Sequence, residues 1–75
     1  MPKAPVVTAE KLIKVLAKKG FVFERQKGSH VRLSRQSDKK QVTLPVHPGR
    51  PLPRRVLESI LDVAGISHEE LVELL

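Results

Sequence analysis

Gln26-Lys27-Gly28-Ser29-His30-Val31-Arg32-Leu33 is the stretch on which the fold turns. Gly28 is the residue type a tight turn uses where the backbone needs a positive φ. From there the chain alternates, with His30, Arg32 and Ser34 on one side and Val31 and Leu33 on the other. A period of two marks a strand with one wet face and one buried face. Val31 and Leu33 therefore belong to a core. His30 stands on the open face, next to a turn and among basic side chains.

Upstream, Phe21-Val22-Phe23-Glu24-Arg25-Gln26 starts apolar and ends polar. Its β-branched and aromatic residues favour a strand, joined through a turn at Lys27-Gly28 to a second strand over 29–35, a hairpin. Phe21 and Phe23 are expected in the core. With no Trp or Tyr elsewhere, an aromatic platform for stacking bases is not expected. Further back, Leu12, Ile13 and Leu16 recur at helical spacing, with Thr8 as N-cap, Glu10 in the first turn and Gly20 just past the end. This predicts a helix over 8–19, preceded by an arm over 1–7. Lys11, Lys14, Lys18 and Lys19 fill its outer surface, as a solvated face or as phosphate contacts.

Downstream, Gln36-Ser37-Asp38-Lys39-Lys40 reads as a polar turn. Over 41–46 the alternation resumes, with Val42, Leu44 and Val46 inward. Pro45 cannot donate to a ladder and marks an edge or an end. His47-Pro48-Gly49-Arg50-Pro51-Leu52-Pro53 is a rigid loop. A helix then carries Val56, Leu57, Ile60, Leu61 and Ala64 on its apolar face and stops at Gly65. Ser67-His68-Glu69-Glu70 reads as a capping box with an Ile66–Leu71 staple, opening a last helix over 68–74. The order is α-β-β-β-α-α, an α+β domain spanning 1–75. In so short a chain the helices economically cover one sheet face, and the other, with His30, Arg32, Ser34 and Thr43, stays wet.

Charge narrows the partner. Fourteen Lys and Arg against eight Asp and Glu give a net charge of +6 over 75 residues, with a pI near 10.2. That balance favours a nucleic acid. The absence of cysteine removes disulfides and thiolate chemistry, and the three histidines lack metal-ligand spacing, so no metal and no cofactor is expected. No apolar run approaches the ~18 residues of a membrane span. Met1-Pro2-Lys3-Ala4-Pro5 is too short and too broken by proline for a signal peptide. The expected location is the cytoplasm.

Three segments together resemble a known family. Lys27-Gly28-Ser29-His30, then Val42-Thr43-Leu44-Pro45-Val46-His47-Pro48-Gly49, then a leucine-rich helix ending Ala64-Gly65-Ile66-Ser67 are similar to the HicA toxins, the mRNA interferases of bacterial toxin–antitoxin pairs. The resemblance runs nearly the length of the chain. It implies a fold like the double-stranded RNA-binding domain, cleavage of mRNA by one essential histidine, which falls on His30, and a HicB-type antitoxin that binds over the site. Leu33 departs from the pattern, since many relatives carry an aromatic two or three residues past the histidine.

The residues also have to make chemical sense. RNA carries its own nucleophile, the 2′-hydroxyl, and histidine is the side chain that exchanges a proton near neutral pH. Arg25, Lys27 and Arg32 can hold phosphate and offset developing charge, and with Ser29 they are the candidate RNA-binding residues around His30. Ser29 itself projects to the other pleat face and is not a nucleophile activated by His30. His47 is expected to hold its loop together, and His68 to be a surface residue. The competing reading is a non-catalytic RNA-binding module that recognises shape. Such a module would tolerate loss of His30.

Overall fold

The computed structural model describes residues 6–75; most of the expected N-terminal arm, residues 1–5, lies outside them. The elements run α1 (Ala9–Lys18), β1 (Phe21–Lys27), β2 (His30–Arg35), β3 (Lys40–Pro45), α2 (Arg54–Ala64) and α3 (His68–Leu74). The strands form one antiparallel sheet in the order β1-β2-β3. The α+β order read from the sequence is thus the observed one, and it is compatible with a double-stranded RNA-binding-domain-like layout.

Each element stands on local chemistry. The Thr8 hydroxyl accepts from the Lys11 N–H at 3.4 Å at the start of α1. Ser67 does the same for the Glu70 N–H at 3.1 Å at the start of α3. The expected capping box is only half closed, because the Glu70 carboxylate takes Lys19 Nζ at 2.8 Å instead and ties α3 to the end of α1. Gly65 ends α2 in the left-handed conformation. The arm is not merely a lead-in. Val7 is buried, its carbonyl accepts from the Leu52 N–H at 2.8 Å, and Thr8 bridges to Pro51, so it pins the proline loop to the core.

The core lies between one face of the sheet and the helices. Val31, Leu33, Val42 and Leu44 point into it, and Leu12, Leu16, Leu57, Ile60, Leu61 and Leu71 meet them. Each such side chain, fully buried, contributes about 1.5–3 kcal/mol of hydrophobic stabilisation. Two details differ from expectation. The hairpin turn is Gly28-Ser29, not Lys27-Gly28, because Lys27 pairs directly with His30. Gly28 then holds the first central position with φ 59°, the sign that a type II′ hairpin turn requires there. The Gln26 amide also braces the turn, donating to the Gly28 carbonyl at 3.0 Å.

The second correction concerns Phe23. Phe21 is 2 % exposed but Phe23 is 62 % exposed. Both face the helix side, but β1 is an edge strand and no element among the described residues lies beyond Phe23 to cover it. Phe23 instead lines an open groove with Ile13, Ala17, Val31 and Val46.

Candidate functional site

The open face of the sheet is built in rows, since residues paired across antiparallel strands share a face. One row is Lys27–His30–Pro45 and the next is Arg25–Arg32–Thr43. The third, Val22–Ser34–Gln41, carries no charge. Positive charge is thus gathered at the hairpin end of the sheet, around His30.

This gathering depends on a bulge. Phe21, Val22 and Phe23 pair with Arg35, Ser34 and Leu33, but Arg25, Gln26 and Lys27 pair with Arg32, Val31 and His30. Glu24 is the extra residue, and one extra residue reverses the phase of a strand. In an unbroken strand Arg25 and Lys27 would share the buried side with Phe21. The bulge turns both outward, onto the face of Arg32 and His30. The structure thus brings Arg25, Lys27 and Arg32 onto one face with His30 through a bulge that no residue type in the sequence marks.

The site is exposed and, among the described residues, its cations have no anionic partner. His30, Arg25 and Lys27 are exposed; Arg32 and Ser29 are half-buried. Arg25 stands directly opposite Arg32, a like-charge pairing that is unfavourable in a sheet. Among the described residues, the ion pairs join Lys19 to Glu70, Arg35 to Asp38 and His68 to Glu58, and none reaches this face. A polyanion laid across it would relieve the repulsion. No side chain among the described residues hydrogen-bonds to His30. Ser29 lies in the turn, where its carbonyl accepts from the Val46 N–H at 2.7 Å.

A model for the HicA toxin of bacterial toxin–antitoxin systems matches residues 9–66. This chain belongs to the HicA toxin family. The match runs from the start of α1 to the residue before the Ser67 cap, and so includes every element that builds the open face. No curated protein matched. As a HicA-family toxin the chain belongs to a toxin–antitoxin pair, which makes a partner part of its biology.

The other histidines differ from each other. His68 is not a free surface residue, because its Nε2 lies 2.7 Å from both Glu58 carboxylate oxygens and links α3 to α2. His47 is exposed, and the loop hydrogen bond at that residue is made by its backbone, the Arg50 N–H donating to the His47 carbonyl at 3.0 Å. Among the described residues no three of His, Cys, Asp and Glu come together to hold a metal ion, and no helix is long and apolar enough to cross a membrane.

Sequence reasoning missed Arg35. Its guanidinium lies 4.6 Å from the Phe21 ring centroid. Nη1 donates to the Lys19 carbonyl at 3.2 Å, and Nη2 to the Ala64 carbonyl at 3.3 Å. Nε and Nη2 grip the Asp38 carboxylate at 3.1 and 2.7 Å. Its aliphatic stem passes over Gly20, where an added Cβ would sit 3.4 Å from Arg35 Cδ and φ is 92°. The hydrogen bond from Arg35 holds the Asp38 carboxyl below its ordinary range, and Asp38 in turn raises Arg35. The signal was parity: Arg35 continues the inward set Val31, Leu33.

Proposed function

We propose that this toxin is an endoribonuclease that cleaves mRNA with His30, needs no metal, and is silenced by a HicB-type antitoxin laid over the same face. The observation that carries the reading is the composition of the open face. A histidine, the residue suited to proton transfer near neutral pH, stands in a row with Lys27 and one row from the opposed Arg25 and Arg32.

The chemistry needs only what RNA and this face supply. Arg25, Lys27 and Arg32 hold the phosphodiester, with Ser29 beside them in the turn. The RNA 2′-oxygen attacks its neighbouring phosphorus while His30 handles a proton, and the cations offset the charge that develops. The products are a 2′,3′-cyclic phosphate and a 5′-hydroxyl end. An antitoxin matched to this face would present acidic side chains to it.

The decisive variant is His30→Ala. Cleavage should fall by about 10²–10⁴-fold, the usual worth of a proton-transfer group. The fold should be retained, because an exposed side chain leaves no cavity. Parent cleavage should proceed in EDTA, and mass spectrometry should find cyclic phosphate ends. The absence of an orienting partner for His30 among the described residues favours the rival reading, a binding module. Cleavage by His30→Ala within a few-fold of the parent would decide for that rival.

A further inference from the structure

β1 is guarded along only half of its free edge. Among the described residues it pairs with β2 on one side and with no strand on the other. A bare strand edge invites pairing with another chain, and charged side chains and bulges are what deter it. Here the bulge at Glu24 and the cations Arg25 and Lys27 protect the hairpin half. The other half carries Val22, 59 % exposed on the open side, and Phe23 on the helix side, even more exposed. That half of the edge is apolar on both of its faces.

Phe23 also lines the groove against α1, a space of about 500 Å³. Ile13 and Ala17 line it from α1, and Gln26 and Val46 carry it to the hairpin end of the sheet. Gln26 precedes Lys27, and the Val46 N–H donates to the carbonyl of Ser29, next to His30. The groove thus runs up to the candidate site from behind. Its lining residues carry no charge, so it offers nothing to a phosphate and suits an apolar side chain of a protein. A second copy of this chain is a poor occupant, because each copy brings a net charge of +6 and would set its own Arg25 and Lys27 beside the joint.

We propose that an extended segment of the antitoxin lies along the free edge of β1, seats a large apolar side chain against Phe23 in this groove, and turns carboxylates toward Arg25 and Lys27; the proposal rests on the antitoxin part of the reading above and deepens it. Successive residues of an extended segment point to opposite faces. One face of the segment meets the groove and the other meets the cations, so the partner alternates apolar and acidic residues. Main-chain hydrogen bonds to the edge supply affinity, and the groove supplies specificity. The antitoxin thereby gains a contact that RNA lacks, on the strand that carries two of the RNA-binding cations.

The test uses the full chain, its cognate antitoxin and an uncleavable oligoribonucleotide. Phe23→Ser should weaken antitoxin binding by about 30-fold or more, the size of an interface hot spot, and Phe23→Leu should restore most of it. For both variants, RNA affinity and RNA cleavage without antitoxin should stay within a few-fold of the parent. Ala17→Arg obstructs the groove from an exposed position on α1. Its added charge alone would tighten an acidic partner, so weaker binding reports the groove. Lys27→Ala should also weaken the antitoxin, but high salt should erase that loss and leave the Phe23→Ser loss in place. The inference is overturned if Phe23→Ser and Ala17→Arg bind the antitoxin within a few-fold of the parent while Lys27→Ala does not. If Lys27→Ala is also without effect, the antitoxin sits elsewhere, and its placement over the open face falls as well. RNA affinity that drops with Phe23→Ser as far as antitoxin affinity does would give the groove to a base. A dimeric parent that Phe23→Ser makes monomeric would give it to a second copy. Either result overturns the inference.

Discussion

Arg32 and Arg35 sit three residues apart on one strand and are used in opposite ways. Arg32 faces the open side, opposite Arg25, in no ion pair among the described residues. Arg35 faces the helix side and is held by Asp38, two helix-end carbonyls and the Phe21 ring. An odd spacing along a strand reverses the face, and the face alone decides whether a cation builds the fold or waits for a polyanion. A basic composition thus overstates the binding surface, because part of the charge is committed to structure.

The comparison can be broken most severely in β1. Deleting Val22 puts Phe21 and Phe23 on opposite faces, so Phe21 leaves the core if Phe23 keeps its place opposite Leu33. Losing a buried Phe costs about 3–5 kcal/mol, a large share of the about 5–15 kcal/mol that stabilises a domain. The Val22 deletion should be unfolded or melt far below the parent by circular dichroism. Deleting Glu24 should instead be tolerated, because Phe23 and Arg25 then follow one another in a regular ladder with Arg25 and Lys27 still outward; a melt as low as that of the Val22 deletion would show that Glu24 is not the extra residue.

Arg35→Ala comes next. It should lower the Tm clearly, whereas Arg32→Ala, a change on the open face, should stay within about 0.5 kcal/mol of the parent. Equal melting temperatures would erase the distinction between the two arginines.

Binding should show the reverse pattern. On an uncleavable RNA, affinity should fall with salt at a slope of about −0.7 per phosphate neutralised on a single strand. The Lys27→Ala, Arg32→Ala double variant should lose about one to two units of slope, with little dependence on RNA sequence. An unchanged slope would move the binding surface elsewhere, for instance to Lys11 and Lys14 on α1.

The smallest effect is the acid response. Asp38 has a folded pKa below its unfolded one, set first by the Arg35 hydrogen bond. Its contribution is therefore complete above the ordinary carboxylate value and is lost as pH falls through the lower folded value. Asp38→Asn should flatten that part of the stability profile in acid denaturation. An identical profile would mean that the grip of Arg35 on Asp38 adds nothing to folding.

What the sequence disclosed follows from what each residue needs. Val31 and Leu33 against His30 and Arg32 required only a period of two. Gly28, Gly65, Thr8 and Ser67 declared themselves because turns and caps demand particular residue types. Glu24 did not, since a bulge built without glycine has no compositional mark and the polar end of β1 has no alternation to break. Phe23 looked like core because edge position is a property of the sheet rather than of the strand. Arg35 and His68 escaped for a related reason, as their partners, the Lys19 and Ala64 carbonyls and Glu58, meet them only after the helices dock.

The Arg35 clasp also bears on how the molecule comes apart. Its contacts join residues 19, 35, 38 and 64, so it is complete only when α1, the sheet and the end of α2 are all in place. Opening either helix end strips partners from the same guanidinium, which couples the two openings into one cooperative unit. Amides of β2 and of the last turns of α1 and α2 should then exchange with solvent in a single global event. A toxin built this way should then pass between folded and unfolded without a long-lived half-open form, and limited proteolysis that accumulates a stable fragment lacking α1 or α2 would show that the clasp does not couple them.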